Sequence, residues 1–291
     1  MDFEKGIVDS IKQLRHPIIF VPDLVFVLTT LVLGLGFFKF TGMRDIISNL
    51  ALTEGFQQEL FKGLLADKWA SLVIGVAVIF IITFTLGVGV ELIRFTLIKD
   101  LITGNKKLDI VKAWKSSKGM FWDVVVLKIF VYLLSILVLL MLALIGWGVY
   151  VLVGNINSVL SVGLISLFGL VLLVLLKLFL LFRYPILFLE KGKSPAGVIK
   201  SSFKFARTQF WYVFLVALIL VVVMLVFAFI TSPISIGLDY LQGLLIAGTF
   251  WAFVFSYFAK LVMSVVNLVY ALWMQLFVFN SYVHRKRKKG L

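Results

Sequence analysis

The sequence predicts an all-α integral membrane protein with six transmembrane helices in three parallel repeats of amphipathic helix, span and span. Three observations lead there. Hydrophobic residues make up 62% of the 291-residue chain, 14% are charged, and mean hydropathy is +1.11, against about half apolar and about a quarter charged in soluble proteins. Apolar runs recur from end to end at about 20 residues, the length that crosses a bilayer as a helix. The bases behind a formal net charge of +14 cluster in alternate connections between those runs, as the positive-inside rule expects.

That distribution argues against a nucleic-acid partner, whose binder would line one face with Lys and Arg. The chain has no cysteine, so disulfides, thiolate metal sites and thiol nucleophiles are ruled out. Asp2, Glu4 and Asp9 lie in the first segment and no small-residue cleavage site follows the first span, so no removable signal peptide is expected.

The spans fall at roughly 18–38, 70–97, 120–150, 158–182, 209–231 and 261–283. Lys5, Lys12 and Arg15 precede the first. The second connection holds Lys99, Lys106, Lys107, Lys112, Lys115 and Lys118, and the fourth holds Lys191, Lys193, Lys200, Lys204 and Arg207. The tail carries Arg285 to Lys289. The first connection balances its charges, while the third (154–158) and fifth (232–242) hold a single one, Asp239. This bias puts both termini in the cytoplasm of a multi-pass cell-membrane protein. Residues 241–259, rich in Phe250, Trp251, Phe253, Phe255, Tyr257 and Phe258, read as a re-entrant or interfacial segment, with one long last helix as the alternative. Aromatics of this kind favour the headgroup level.

The connections hide a repeat. At an offset of 89, Ile110 matches Ile199, Lys115 matches Lys204, Lys118 matches Arg207, and Phe121-Trp122 matches Phe210-Trp211. Arg94 matches Arg183 at the same offset, and a weaker copy at the N-terminus runs through Ile7, Ser10, Lys12, Arg15 and Ile18-Ile19. A single membrane domain, 1–291, would then hold units of approximately 5–98, 99–190 and 191–284, related by an axis along the membrane normal.

Each short helix sorts its residues by face. Ile110, Val111, Ala113, Trp114 and Ser117 oppose Lys112 and Lys115; Val198, Ile199, Ser202, Phe205 and Ala206 oppose Lys200, Lys204 and Arg207; Ile7, Ile11 and Leu14 share a face of the first. Ser194-Pro195 supplies an N-cap and a first-turn proline. Lys112, Lys115, Lys118, Lys200, Lys204 and Arg207 are thus membrane-surface residues, set toward anionic headgroups of the bilayer. Plain anchoring is the simpler account of such helices, and lipid sensing or partner docking the sharper one.

The basic amphipathic helix followed by Phe-Trp at the head of a span resembles the membrane domain attached to some glycerophosphoryl diester phosphodiesterases and its uncharacterised prokaryotic six-span relatives. The resemblance covers most of the chain on a short motif. It implies a fold and no activity, since the phosphodiesterase catalytic domain is missing from this chain.

Charges inside spans are costly and usually paired or functional. Those here are Asp23, Glu91, Arg94, Asp123, Lys128, Lys177 and Arg183, joined by the polar Asn280. Glu91, Arg94, Lys128, Lys177, Arg183 and Asn280 are the candidates for a substrate site or pathway, and Glu91 with Arg94 has the i, i+3 spacing of a helical ion pair. No catalytic residues, metal site or cofactor are expected: His16 and His284 flank spans, and HExxH, GxSxG and Walker motifs are all missing from the sequence. The best reading is a transporter- or channel-like protein for a polar or lipid substrate, with Glu91, Lys128 and Lys177 lining a polar cavity. The alternative is a non-catalytic scaffold or accessory subunit that meets a protein partner at the basic helices or at 39–69. A lipid-modifying enzyme built on paired carboxylates ranks last.

Overall fold

A computed structural model of the chain describes residues 2–41, 58–105, 107–152, 158–190, 192–244 and 250–289, and every regular element among them is helical. In chain order these are α1 (Asp2–Gln13), α2 (Val21–Thr41), α3 (Gln58–Ile102), α4 (Ile110–Ser117), α5 (Phe121–Leu152), α6 (Ser158–Phe179), α7 (Arg183–Leu189), α8 (Pro195–Thr208), α9 (Phe210–Gly243) and α10 (Phe250–Lys289). Short 3₁₀ turns at Pro17–Ile19 and Lys118–Met120 lead into α2 and α5. Among the described residues, six helical stretches are long and apolar enough to cross a membrane.

Local chemistry sets several of the helix ends. Gly104 takes φ +88°, where L side chains are strained. Its N–H donates to Leu101 O and that of Asn105 to Asp100 O, the Schellman pattern that closes α3. Asp109 caps α4 by accepting from the backbone of Val111 at 2.7 Å and Lys112 at 3.1 Å. Ser194 caps α8, accepting from Gly197 N at 3.3 Å with Pro195 in the first turn, as read from the sequence.

Three boundaries differ from expectation. The fifth connection, expected at 232–242, is the last three turns of α9, which passes Pro233 without ending. Thr231 Oγ1 donates back to Phe227 O at 2.9 Å, before the carbonyl that the proline leaves free, and helices that span a bilayer tolerate an interior proline. The expected re-entrant segment is divided: 241–243 finish α9, 250–259 begin α10, and 245–249 lie outside the described residues. From Phe250 to Lys289 no Gly or Pro interrupts the helix, so it runs unbroken for 40 residues, about 60 Å at about 1.5 Å per residue. Likewise α3 starts at Gln58, ahead of its expected start at 70; the rest of the expected outer segment, 42–57, lies outside the described residues.

Burial is uneven along these helices. The last turns of α10 gather with α1, α4, α7 and α8 at one end, called here the basic end. Its core joins Ile19, Val88, Leu92, Phe95, Leu97, Ile98, Val124, Leu127, Ile186, Val213, Val216, Leu272, Leu276 and Phe277. Toward the far end the same helices expose large apolar side chains, among them Val76, Phe80 and Ile81 of α3, Leu139, Leu140 and Leu144 of α5, and Leu225, Phe229 and Ile230 of α9.

Candidate functional site

Where α3, α7 and α10 meet at the basic end, Phe95 is the hub of an aromatic cluster. Its ring stacks on Tyr184 with centroids 4.5 Å apart and on Phe279 at 5.6 Å, and meets Phe188 at 5.4 Å. Such offset rings add to the stabilisation from burial alone. Phe95 follows Arg94, Tyr184 follows Arg183, and Phe279 precedes Asn280. The segments carrying those three polar candidates therefore touch through their aromatic neighbours.

The polar side chains radiate from that cluster into separate partners. Arg94 Nη1 pairs with Asp23 of α2, both groups buried, and the guanidinium lies 5.0 Å from the centre of the Phe95 ring. Lys128 Nζ of α5 meets Glu91 Oε1 of α3 at 2.9 Å, with the Phe84 ring 5.7 Å away. Glu91 lies close enough to Asp23 and Tyr184 for its charge to act on both. The two ion pairs thus form one network of two acids and two bases between α2, α3 and α5. Asp23 Oδ2, Glu91 Oε2 and Arg94 Nε are buried with no hydrogen-bond partner among the described residues. Lys128 stands seven residues into α5, about 10 Å along it.

The other candidates go elsewhere. Arg183 donates to Leu180 O at 3.0 Å and lies over the Tyr184 ring at 4.6 Å. Asn280 donates to Ser10 Oγ at 3.0 Å and Gln13 Oε1 at 2.8 Å, tying α10 to α1. Lys177 is exposed on α6, in line with Val174 and Val171, and has no polar partner among the described residues. Glu91, Lys128 and Lys177 therefore do not converge as free groups: the first two neutralise each other across a helix interface, and the third faces outward. Nor do Glu91 and Arg94 pair, despite their spacing, because each has an opposite charge on a neighbouring helix. Asp123 is half-buried at the head of α5.

The six residues expected at the membrane surface, Lys112, Lys115, Lys118, Lys200, Lys204 and Arg207, are all exposed, while Ala113, Ser117, Val198, Ser202 and Ala206 behind them are buried. Ser202 Oγ donates to Phe179 O at 2.7 Å, so α8 is seated on the end of α6. In α1 the buried positions are Gly6 and Ser10, and Ile11, expected on the apolar face, points outward because α10 takes the small residues.

A clasp at the basic end could not be read from the sequence. Glu190 accepts from Lys286 at 2.7 Å and Lys193 at 2.5 Å, and from the hydroxyl of Tyr282. Burial pushes its carboxyl up, but Lys193, Lys286 and Tyr282 together outweigh that and hold it down at about 2. Arg285 donates to Gln209 Oε1 at 2.7 Å and lies 4.8 Å over the Tyr212 ring, while His284 Nε2 meets Asp9 Oδ2 at 3.1 Å. A lone acid in a strongly basic connection was the one available hint of Glu190.

Compared with protein-family models, with curated proteins and with solved structures, the chain matches none of them.

Proposed function

We propose that the chain is a transporter-like membrane protein of three repeats, with both termini cytoplasmic, whose basic end is the closed gate of a pathway along the repeat axis. Equivalent burial supports the repeat. At the offset of 89, Ala113 and Ser202, Ser117 and Ala206, Val124 and Val213, Leu127 and Val216, and Leu97 and Ile186 are all buried. Exposed Trp122 and Trp211 at one level, and Trp69, Trp147 and Tyr240 at the other, fit the aromatic belts of a bilayer.

The observation that carries the reading is the charge network with its three unpartnered atoms. A buried ion pair is often matched or bettered in stability by apolar residues of similar size. Two pairs set within candidate spans, with part of their hydrogen-bonding capacity unused, are poor structural glue and good switch elements. The Phe95–Tyr184–Phe279 stack beside them would close the axis in this state. The resemblance to the phosphodiesterase membrane domain is compatible with such a fold and adds no activity.

Reconstitution tests it. Vesicles holding the protein should pass either entrapped carboxyfluorescein or NBD-labelled phosphatidylethanolamine between leaflets faster than protein-free vesicles. Phe95→Ala should raise that flux, and Glu91→Gln with Lys128→Gln should alter it about tenfold. Neither probe moving, with Phe95→Ala or without, sinks the reading. It would favour the scaffold, the second reading, for which the closing of both ion pairs and the clasp around Glu190 already speak.

A further inference from the structure

Two groups of bases at this end differ in what they hold. Arg94, Lys128, Lys193, Arg285 and Lys286 each hold an acidic or amide side chain of the same chain. Lys112, Lys115 and Lys118, and Lys200, Lys204 and Arg207, are exposed and meet no carboxylate among the described residues. Neither α4 nor α8 contains an acidic residue. Bases three or four residues apart on a helix repel one another and weaken it slightly unless an outside anion offsets them.

A second feature fixes where that anion lies. Each row of bases runs into a Phe-Trp pair heading a long apolar helix. Trp122 is 71% exposed and Trp211 is 74% exposed, each with its ring edge-on to the preceding Phe, at 5.6 and 5.8 Å. Exposed indoles of this kind settle at the level of lipid headgroups. The bases precede them by four to eleven residues, about one to three helical turns, so indoles at headgroup level would bring the bases to the phosphates. The buried small residues behind each row hold α4 and α8 against the bundle, so the rows cannot turn inward for partners.

We infer that the α4 row with Trp122 and the α8 row with Trp211 are two equivalent binding patches for anionic phospholipid headgroups. This rests on the membrane reading above, and on no claim about transport. A zwitterionic lipid brings its own cation beside the phosphate. A lipid with net negative charge brings no such cation, so each of the three bases in a patch attracts it near such a surface.

The test uses the full chain, reconstituted in vesicles of phosphatidylcholine and phosphatidylglycerol, extracted in mild detergent and examined by native mass spectrometry. The wild type should retain phosphatidylglycerol at least about tenfold over its share of the mixture. The K112Q/K115Q/K118Q and K200Q/K204Q/R207Q variants should each lose about half of that retention, and the six-fold variant all of it, with melting temperatures little changed. Equal retention of the two lipids by the wild type, or undiminished preference in the six-fold variant, overturns the inference. Displacement of the lipid by soluble polyglutamate would do so too, pointing to an acidic protein partner. Flotation of every variant with urea-washed vesicles reports separately on the membrane reading: protein left unfloated overturns that reading rather than lipid choice.

Discussion

The two ends of the long helices are built differently. At the basic end, α3 buries Leu92, Arg94, Phe95, Leu97 and Ile98 within two turns, and α10 buries an almost unbroken run from Leu276 to Tyr282. Every side of those helices meets protein there: short helices, ring stacks and ion pairs. Ten to twenty residues from that end, α3 exposes Phe80 and Ile81, α5 exposes Leu144 and α9 exposes Phe229. Apolar content does not separate the ends, since the long helices are apolar in both. What differs is whether a polar network and short helices fill the space between rods. In a bilayer, burial of apolar surface does not drive helices together, so close packing falls to ring contacts, small residues and polar links.

The comparison breaks most visibly at Asp23. Asp23→Ala leaves Arg94 buried with its charge unpaired, a loss of about 3–5 kcal/mol. Thermal unfolding in detergent should show a large drop, and adding Arg94→Leu should restore much of it. Phe277→Ala, at a fully buried position beside Trp273 and Gly6, should cost about 3–5 kcal/mol by leaving a cavity. Its far-end counterpart, Phe229→Ala, removes a ring that is 82% exposed and should change stability by no more than about 0.5 kcal/mol. Equal losses at the two sites would mean that the far half is packed as tightly as the basic end.

Smaller effects sharpen the contrast. Glu190→Gln should lower stability by about 1–3 kcal/mol through its charged hydrogen bonds. The carboxyl is held at about 2, against an ordinary value of 4.5, so its contribution is present in full above the ordinary carboxylate range. It should fade as acid takes the pH down from there through about 2, and Glu190→Gln should flatten that part of the melting-temperature profile. Gly169 is a close approach outside the basic end: a Cβ there would sit 2.9 Å from Leu142 Cδ1. Gly169→Ala should cost about 1 kcal/mol, less if Leu142 swings aside.

The sequence made the candidate spans legible because apolar runs and basic connections are properties of single segments. The Ser194 cap and the exposed and buried faces of α8 were legible for the same reason. Packing between segments was not. The i, i+3 spacing of Glu91 and Arg94 suggested a pair within one helix, yet both charges reach across to other helices. The meeting of Phe95, Tyr184 and Phe279 depends on crossing angles that no single segment encodes, though their places next to Arg94, Arg183 and Asn280 marked the right neighbourhood. The fifth span was expected to end near residue 231, yet the helix runs on through Pro233 to Gly243.

The proposed arrangement puts the termini and the whole clasped end on the cytoplasmic side. Because the chain is free of cysteine, single cysteines at Asp239 and Arg287 can be probed with a membrane-impermeant maleimide on intact cells. Asp239→Cys should label at once and Arg287→Cys only after permeabilisation. Labelling of Arg287→Cys from outside an intact cell would contradict the topology and the gate built on it.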